Sequence, residues 1–206
     1  MLNDYRLCML HLIITTANIE YGYKQRKEHY IQSIEGCLKY AHLFDSYTVL
    51  ECVSENEEYL NCYNTVYSAE GNFYNNKGLN EMNHLRSFLN KSSFGDNQSI
   101  IKLSGKYLIK DDYFLNKVLE LQTRYDSILK NDNDVFEGNG YHTFFYYMKK
   151  KVLMDSINSL EFLLNNNRPI EWDIKDFLLT RDRHIEIDRL GLLARQGTYS
   201  ENIFYC

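Results

Sequence analysis

The chain has 206 residues, of which 44% are hydrophobic and 25% are charged, and its formal net charge is −5. These values are ordinary for a soluble globular protein, and the length suits one domain with a sizeable core better than two. The acidic balance disfavours broad binding to nucleic acid or anionic membranes, because both require an excess of positive charge. We therefore expect a single domain over residues 1–206, in which a local basic pocket is still compatible with the overall charge.

The cysteines and the first apolar run bear on the location of the protein. The five cysteines are odd in number and form no Cys-x-x-Cys pair, which favours free thiols in a reducing compartment. The apolar run over residues 7–14 is too short to cross a membrane, includes His11 and follows no basic leader. We expect a cytoplasmic protein without a membrane span.

The first third of the chain predicts a strand, a helix and a second strand. Residues 7–14 are almost continuously apolar, as is typical of a central parallel strand. A polar loop over residues 15–18 follows, and apolar positions between residues 24 and 43 recur at helical spacing. Residues 47–53 are rich in β-forming side chains. This order is typical of a βαβ unit in a parallel sheet.

The rest of the chain continues the alternation, with no repeat and no linker. The predicted elements are a short strand at 66–67, a loop over 71–78, a helix over 79–89, a strand over 99–103, a helix through 121 and beyond, a loop over 131–140, a β-prone aromatic segment over 141–148, a helix over 151–164, a break at 165–169 and a last strand or helix edge over 185–193. Asp111 or Asp112 would cap the helix that passes through 121. The sequence therefore predicts one α/β domain.

Two segments place cations where a ligand would bind. The strand over 99–103 runs into Ser104-Gly105-Lys106, so Lys102 and Lys106 lie at one end of a buried strand. Open α/β sheets bind ligands at such strand ends, and ammonium groups favour phosphate. The predicted helix at 79 is preceded by Lys77 and Gly78, where a close backbone approach and a helix N-terminus also favour an anion.

The loop after the first strand contains Thr15, Thr16, Ala17 and Asn18. In an open α/β sheet this loop often contacts a nucleotide, and an ordinary polar turn is an equally good interpretation. Arg26 lies further along the same segment. It either reaches a phosphate or is a solvated surface residue, and the sequence leaves both interpretations open.

Together, Asn-Lys-Gly-x-Asn-Glu at 76–81 and Lys-x-Ser-Gly-Lys-Tyr at 102–107 resemble small GT-A type glycosyltransferases of viral and bacterial glycan pathways. The resemblance implies a Rossmann-like, mixed and mostly parallel central sheet flanked by helices. It also implies transfer of a sugar from a nucleotide-diphosphate donor to a hydroxyl group of a glycan or glycoprotein acceptor, in the host cytoplasm if the protein is viral. The donor would be bound by Thr15, Thr16, Ala17, Asn18, Arg26, Lys77, Gly78, Lys102, Ser104, Gly105 and Lys106.

The chain departs from that family at the metal site, because no Asp-x-Asp follows the strand that ends at Leu103. Lys102 and Lys106 could replace the metal by stabilising the leaving diphosphate. Alternatively, Asp111 or Asp112 could bind Mg²⁺ or Mn²⁺ through carboxylate oxygens. The Asp-x-Asp spacing at 132–134 lies in a predicted loop, where a solvated segment is the more common interpretation.

An inverting transfer also needs a general base near the acceptor hydroxyl group. Glu161 is the first candidate, because its neighbours are apolar and an unused carboxylate there would be costly. The resemblance also places an acidic residue on this helix. His142 is the second candidate, and a structural histidine is an equally good interpretation of it.

Two other functions compete with sugar transfer. A non-catalytic module that binds a nucleotide sugar or a glycan would explain the missing Asp-x-Asp. A nucleotidyltransferase also handles diphosphates on such a fold, but it would need a glycine-rich first loop, which residues 15–18 do not supply.

Overall fold

Within the residues that the structure describes, seven strands form one sheet and three form another. The computed structural model describes residues 9–19, 22–68, 70–132, 139–160, 168–195 and 203–205. The strands are β1 (Leu10–Thr16), β2 (Ser46–Glu51), β3 (Thr65–Tyr67), β4 (Ser99–Ser104), β5 (Leu108–Ile109), β6 (Ser127–Lys130), β7 (Phe145–Lys149), β8 (His184–Ile187), β9 (Leu192–Arg195) and β10 (Ile203–Tyr205). The α-helices are α1 (Tyr23–Leu38), α2 (Lys77–Lys91), α3 (Tyr113–Leu121), α4 (Lys150–Leu160) and α5 (Ile170–Leu179), and short 3₁₀ helices cover Ala41–Leu43 and Glu58–Leu60.

The large sheet has the strand order β3-β2-β1-β4-β7-β6-β8. Neighbouring strands are parallel from β3 through β4 and again between β6 and β8. Only β7 runs antiparallel to its neighbours β4 and β6 in the sheet as described. The second sheet, β10-β9-β5, is antiparallel. The predicted α/β fold with a mixed, mostly parallel central sheet flanked by helices is therefore confirmed.

The alternation of side chains along β1 shows how the layers are built. Leu12 and Ile14 pack into a core with α1 and α3, whereas Ile13 packs into a core with α2, α4 and α5. Every residue of β1 is buried, because helices cover both faces of the sheet. The continuous apolar run in the sequence is the direct consequence of this position.

Most of the predicted elements are confirmed, with small shifts at their ends. Thr15 and Thr16 belong to β1 and not to the loop after it, and α2 begins at Lys77. Asp111, and not Asp112, makes the predicted capping contact, since its carboxylate accepts the amide of Tyr113 at 3.0 Å. The segment 185–193 forms parts of two strands that are separated by the irregular residues 188–191, instead of one element.

The sequence analysis missed the strands β5, β6 and β10 and the helix α5. The strand β6 has only four residues, all buried, so it shows no alternation of polar and apolar side chains. The helix α5 begins directly after Pro169, a residue that was interpreted only as a break. Pro is favourable at the start of a helix, because its missing amide would have had no partner there.

Helices in the described part of the chain lack the combination of length and hydrophobicity that is needed to cross a lipid bilayer.

Gly191 should resist substitution more strongly than the helical Gly36. Gly191 has a φ angle of 67°, and a Cβ atom there would overlap the carboxylate of Asp111. We expect Gly191→Ala to lower the free energy of unfolding by about 1–3 kcal/mol, as measured by urea denaturation. Gly36 lies inside α1 with open space around it, so Gly36→Ala should raise that free energy by about 0.5–1 kcal/mol. Equal effects at both positions would contradict the left-handed conformation of Gly191.

Candidate functional site

The site lies where the chain changes direction across the sheet. From β1 the chain continues to β2 and β3 on one side, and then returns to β4 on the other side of β1. Since β1 and β4 are parallel, their carboxyl ends, at Thr16 and Ser104, lie at the same edge. In open α/β sheets the crevice for a ligand opens at such a switch point.

The turn after β4 packs against the end of β1. The amide of Gly105 donates to the carbonyl of Thr15 at 2.8 Å, and a Cβ atom at position 105 would lie 3.0 Å from that oxygen and 3.2 Å from the ring of Tyr30. Gly105 therefore allows the backbone of the turn after β4 to approach the backbone at the end of β1. In the structure Gly105 serves the packing of two protein segments, whereas the sequence analysis predicted a role in ligand binding.

Lys102 is fully buried, and its charge is balanced inside the protein. Its ammonium group lies 2.8 Å from Glu81 Oε1, and it donates to Ser104 Oγ at 2.8 Å and to the carbonyl of Thr143 at 3.1 Å. The alternation along β4 turns Lys102 towards α2, from which Glu81 projects. The expectation that Lys102 meets the diphosphate directly does not agree with this arrangement, since Glu81 already neutralises it.

Glu81 Oε1 collects several donors from neighbouring strands. It accepts the hydroxyl groups of Thr15 and of Ser104, the latter at 3.2 Å. Burial raises the pKa of Glu81, but the charge of Lys102 and the hydrogen bonds to Oε1 outweigh burial and leave the pKa below its usual value. Glu81 lies in the second turn of α2 and is the charge partner of Lys102.

Three other predicted cations lie closer to solvent. Lys106 is partly exposed beside the ring of Tyr107, Arg26 is partly exposed on α1, and Lys77 is exposed at the first residue of α2. Burial lowers the pKa of Lys106, Glu81 raises it, and the charges of Lys102, Arg26 and Lys77 lower it further. The predicted cations therefore share one electrostatic environment at the carboxyl ends of β1 and β4.

Arg26 has one buried donor atom, Nε, without a hydrogen-bond partner among the described residues. Burial raises the pKa of Tyr30, and a hydrogen bond with Arg26 counteracts that effect. The hydroxyl group of Tyr30 also donates to the carbonyl of Ala17 at 3.1 Å, so Arg26 lies next to the loop that follows β1.

Glu51, at the carboxyl end of β2, holds that loop and was missed by the sequence analysis. It is fully buried and accepts hydrogen bonds from Thr16 Oγ1 at 2.6 Å, from Asn18 Nδ2 at 2.6 Å and from the amide of Asn18 at 3.0 Å. The amides of Val53 and Ser54 complete its shell. Because charge-assisted bonds satisfy this carboxylate, the backbone at Thr16–Asn18 is held in one conformation.

Gly78 does not offer an open approach to a ligand. A Cβ atom there would lie 2.6 Å from Ile170 of α5, and its amide already donates to Asn76 Oδ1 at 2.9 Å. Gly78 therefore allows α5 to pack against the start of α2. The predicted anion site at this helix N-terminus is partly capped by the Asn76 side chain.

The candidate base His142 lies at the same edge of the sheet, on the far side of β4. It is buried, its Nε2 atom lies 3.4 Å from Lys130 Nζ, and its ring packs 4.7 Å from that of Phe144. Next to it, Thr143 Oγ1 donates to Glu171 Oε1 at 3.1 Å. Glu171 was not predicted, since α5 itself was missed. Glu161 lies outside the described residues.

Among the residues that the structure describes, the candidate metal ligands form no group suited to hold a metal ion. Asp111 lies 3.5 Å from Arg189 and accepts the amide of Tyr113, and Asp112 is the residue before the first turn of α3. Asp132 is buried, whereas Asp134 lies outside the described residues. Across the described ranges, no group of three or more His, Cys, Asp or Glu side chains is arranged to hold a metal ion.

Comparison with known proteins gives a likeness at the level of structure only. No protein-family model matches the sequence, and no curated protein is similar to it. A Desulfovibrio desulfuricans protein assigned as a nucleotide-diphospho-sugar transferase superposes with a TM-score of 0.61 at 9% identity, over 88% of this chain and 80% of that one.

Two nucleotidyltransferase structures are also similar. A Bacillus anthracis protein assigned as a glucose-1-phosphate thymidylyltransferase has a TM-score of 0.61 at 12% identity, over 89% of each chain. The 2-C-methyl-D-erythritol 4-phosphate cytidylyltransferase of Francisella tularensis has a TM-score of 0.54 at 13% identity, over 82% of this chain and 86% of that one. The chain therefore adopts the fold shared by nucleotide-diphospho-sugar transferases and nucleotidyltransferases.

Proposed function

We propose that the protein transfers a sugar from a nucleotide-diphosphate donor to a hydroxyl group of a glycan or glycoprotein acceptor. The observation that carries the proposal is the group of cations, Lys106, Arg26 and Lys77, at the carboxyl ends of β1 and β4. A diphosphate is the ligand chemistry that such a group favours, and the switch point of the sheet is where this fold binds ligands.

The residues around these cations have different roles in the proposal. The loop at Thr16–Asn18, held by Glu51, contacts the nucleoside, and Lys106 and Arg26 bind the phosphates. When the bond between sugar and diphosphate breaks, negative charge develops on the leaving oxygen, and fixed cations lower the energy of that state. The buried pair of Lys102 and Glu81 supports the turn that carries Lys106.

The cations also bear on the choice between metal-assisted and metal-independent transfer. Asp111 is engaged by Arg189 and by the amide of Tyr113, so it is a poor candidate for a Mg²⁺ or Mn²⁺ ligand. We propose that Lys106 and Arg26 supply the charge that a divalent cation supplies elsewhere. A metal carried in by the phosphates of the donor is the alternative.

Nucleotidyl transfer is the second candidate function. Two of the similar structures are nucleotidyltransferases, and in that reaction a nucleoside triphosphate and a sugar phosphate replace the nucleotide sugar and the acceptor. The cation group would suit either set of phosphates. The segment over residues 15–18 favours sugar transfer, since it contains none of the glycines that let a backbone wrap a triphosphate.

A binding and turnover screen tests the proposal. Titration calorimetry with UDP-, GDP-, dTDP- and CMP-sugars, and with the matching triphosphates, should reveal binding of at least one nucleotide sugar in EDTA. Mass spectrometry of the bound donor with an oligosaccharide pool should then show a product heavier by one sugar. Binding of triphosphates alone, with release of pyrophosphate on addition of a sugar phosphate, would favour nucleotidyl transfer. Binding without turnover would favour the non-catalytic module.

A further inference from the structure

Glu171 is held in a defined position at the edge of the site. It lies in the first turn of α5, it is partly exposed, and its Oε1 atom accepts the hydroxyl group of Thr143 at 3.1 Å. Its carbonyl accepts the amide of Tyr141 at 3.2 Å, and a Cβ atom at Gly140 would lie 2.9 Å from the Cβ of Glu171. These contacts fix both the backbone and the carboxylate, while solvent still reaches the side chain.

A chain of polar contacts connects Glu171 to the cation group. The hydroxyl group of Thr143 donates a hydrogen bond to Glu171. The carbonyl of Thr143 accepts a hydrogen bond from the ammonium group of Lys102 at 3.1 Å. Lys102 pairs with Glu81, whose Oε1 atom accepts the hydroxyl group of Thr15 at the end of β1. Since β7 is antiparallel to β4, the residues before β7 lie at the carboxyl end of β4. Glu171 therefore lies one strand beyond β4, on the side away from β1.

The surroundings of Glu171 favour the protonated acid more than those of an ordinary surface glutamate. Burial raises its pKa and the charge of Glu81 adds to this, while its own amide, the Thr143 hydroxyl group and the charge of Lys102 lower it. A carboxylate in the first turn of a helix would otherwise be stabilised in its charged form. His142 adjoins Thr143 along the chain, and Asp173 lies two residues after Glu171 on α5 and pairs with Arg168.

We infer that Glu171 is the general base that accepts the proton of the acceptor hydroxyl group. This inference rests on the proposed sugar transfer. In that step the acceptor O–H bond breaks and its proton goes to the Glu171 carboxylate. The acceptor oxygen forms a bond to the anomeric carbon, and the bond from that carbon to the diphosphate breaks, leaving its electron pair on the phosphate oxygen.

Glu171 does more than cap α5. Its carboxylate accepts its own amide as a capping group would, but burial outweighs this contact and raises the pKa, and its side-chain partner Thr143 lies on another segment. A base whose pKa is raised towards the working pH transfers a proton more effectively than an ordinary carboxylate.

The test compares Glu171→Gln with Glu161→Gln and with Glu35→Gln, which changes an exposed glutamate on α1. For each protein, donor affinity is measured by calorimetry and kcat by product formation between pH 4 and pH 9. We expect the affinity of Glu171→Gln for the donor to stay within twofold of the wild-type affinity. We expect its kcat to fall by about 100-fold or more. The fall of kcat at acidic pH, called here the acid limb, should disappear in Glu171→Gln. Glu35→Gln should match the wild type in donor affinity, in kcat and in its pH profile.

Thr143→Val provides a second readout that does not remove the carboxylate. Losing the hydrogen bond from the Thr143 hydroxyl group should raise the pKa of Glu171 and move the acid limb of kcat to higher pH.

A Glu171→Gln protein with kcat within threefold of the wild type, or an acid limb that does not move in Thr143→Val, would overturn the assignment. If the wild-type protein transfers no sugar, the proposed function fails and the assignment fails with it. If the wild type is active and Glu161→Gln alone abolishes kcat, only the assignment of Glu171 fails.

Discussion

Replacing Lys102 with methionine should lower the free energy of unfolding by about 3 kcal/mol at pH 7, because Glu81 would be left without its counter-charge. We expect a loss of free energy at the lower end of the usual range for such pairs, because a quarter of the Glu81 side chain is exposed and water can partly solvate it. Methionine matches the length of the lysine stem, so the packing of the buried position changes little. Urea denaturation of the wild type and the variant measures the difference.

A double variant and the pH dependence separate the lost charge from lost packing. Lys102→Met combined with Glu81→Leu should recover most of the stability, since no uncompensated charge remains. The pKa of Glu81 is lowered from 4.5 in the folded protein, so the stability from the pair is present above pH 4.5 and is lost as the pH falls through the lowered pKa. The gap between wild type and Lys102→Met should therefore close in acid. A gap that stays constant from pH 7 to pH 3 would show that packing alone was lost.

Replacing Lys106 with methionine should weaken donor binding by about 10–100-fold, because one charge-assisted hydrogen bond to a phosphate would be lost. Stability should be unchanged or slightly increased. Burial lowers the pKa of Lys106, so its charge opposes folding at neutral pH, and wild-type stability should rise as the pH increases from that lowered pKa towards 10.5. Calorimetry with the nucleotide sugar identified in the screen, together with urea denaturation, measures both quantities.

Lys39 provides the matched control for Lys106, since it is exposed at the end of α1, away from the carboxyl ends of the strands. Lys39→Met should bind the donor as the wild type does. The affinity of the wild type should also fall more steeply with added salt than that of Lys106→Met, because the variant makes one fewer ionic contact. Equal affinities of the two methionine variants would remove Lys106 from the donor site.

The cation pair at 102 and 106 shows where the sequence analysis succeeded and where it failed. The pattern correctly indicated a buried strand that ends in a polar turn at the edge of the sheet. It treated both lysines as ligand contacts, although Lys102 points into the sheet–helix interface and pairs with Glu81. The direction of a side chain on a strand depends on register and on the helix that covers that face, which local sequence does not specify.

Glu171 and Glu51 show a second limit. Neither has a distinctive sequence context, and each acquires its environment from residues that are distant along the chain: Thr143 for Glu171, and Thr16 with Asn18 for Glu51. Glu171 also lies on α5, a helix that the sequence analysis did not predict. Its partial burial, which raises its pKa, results from packing and leaves no local sequence pattern.

The sequence alone determined the class of fold and the edge of the sheet at which to search for a site. Continuous apolar runs must be buried on both faces, and this requirement leads directly to parallel strands covered by helices. Only the tertiary structure decided which charged groups face each other, since the order β1-β4-β7 brings Thr15, Lys102 and Thr143 side by side. Burial is determined residue by residue, so the sequence revealed which strands are buried. Strand order is determined by the packing of the whole chain, so the sequence did not reveal it.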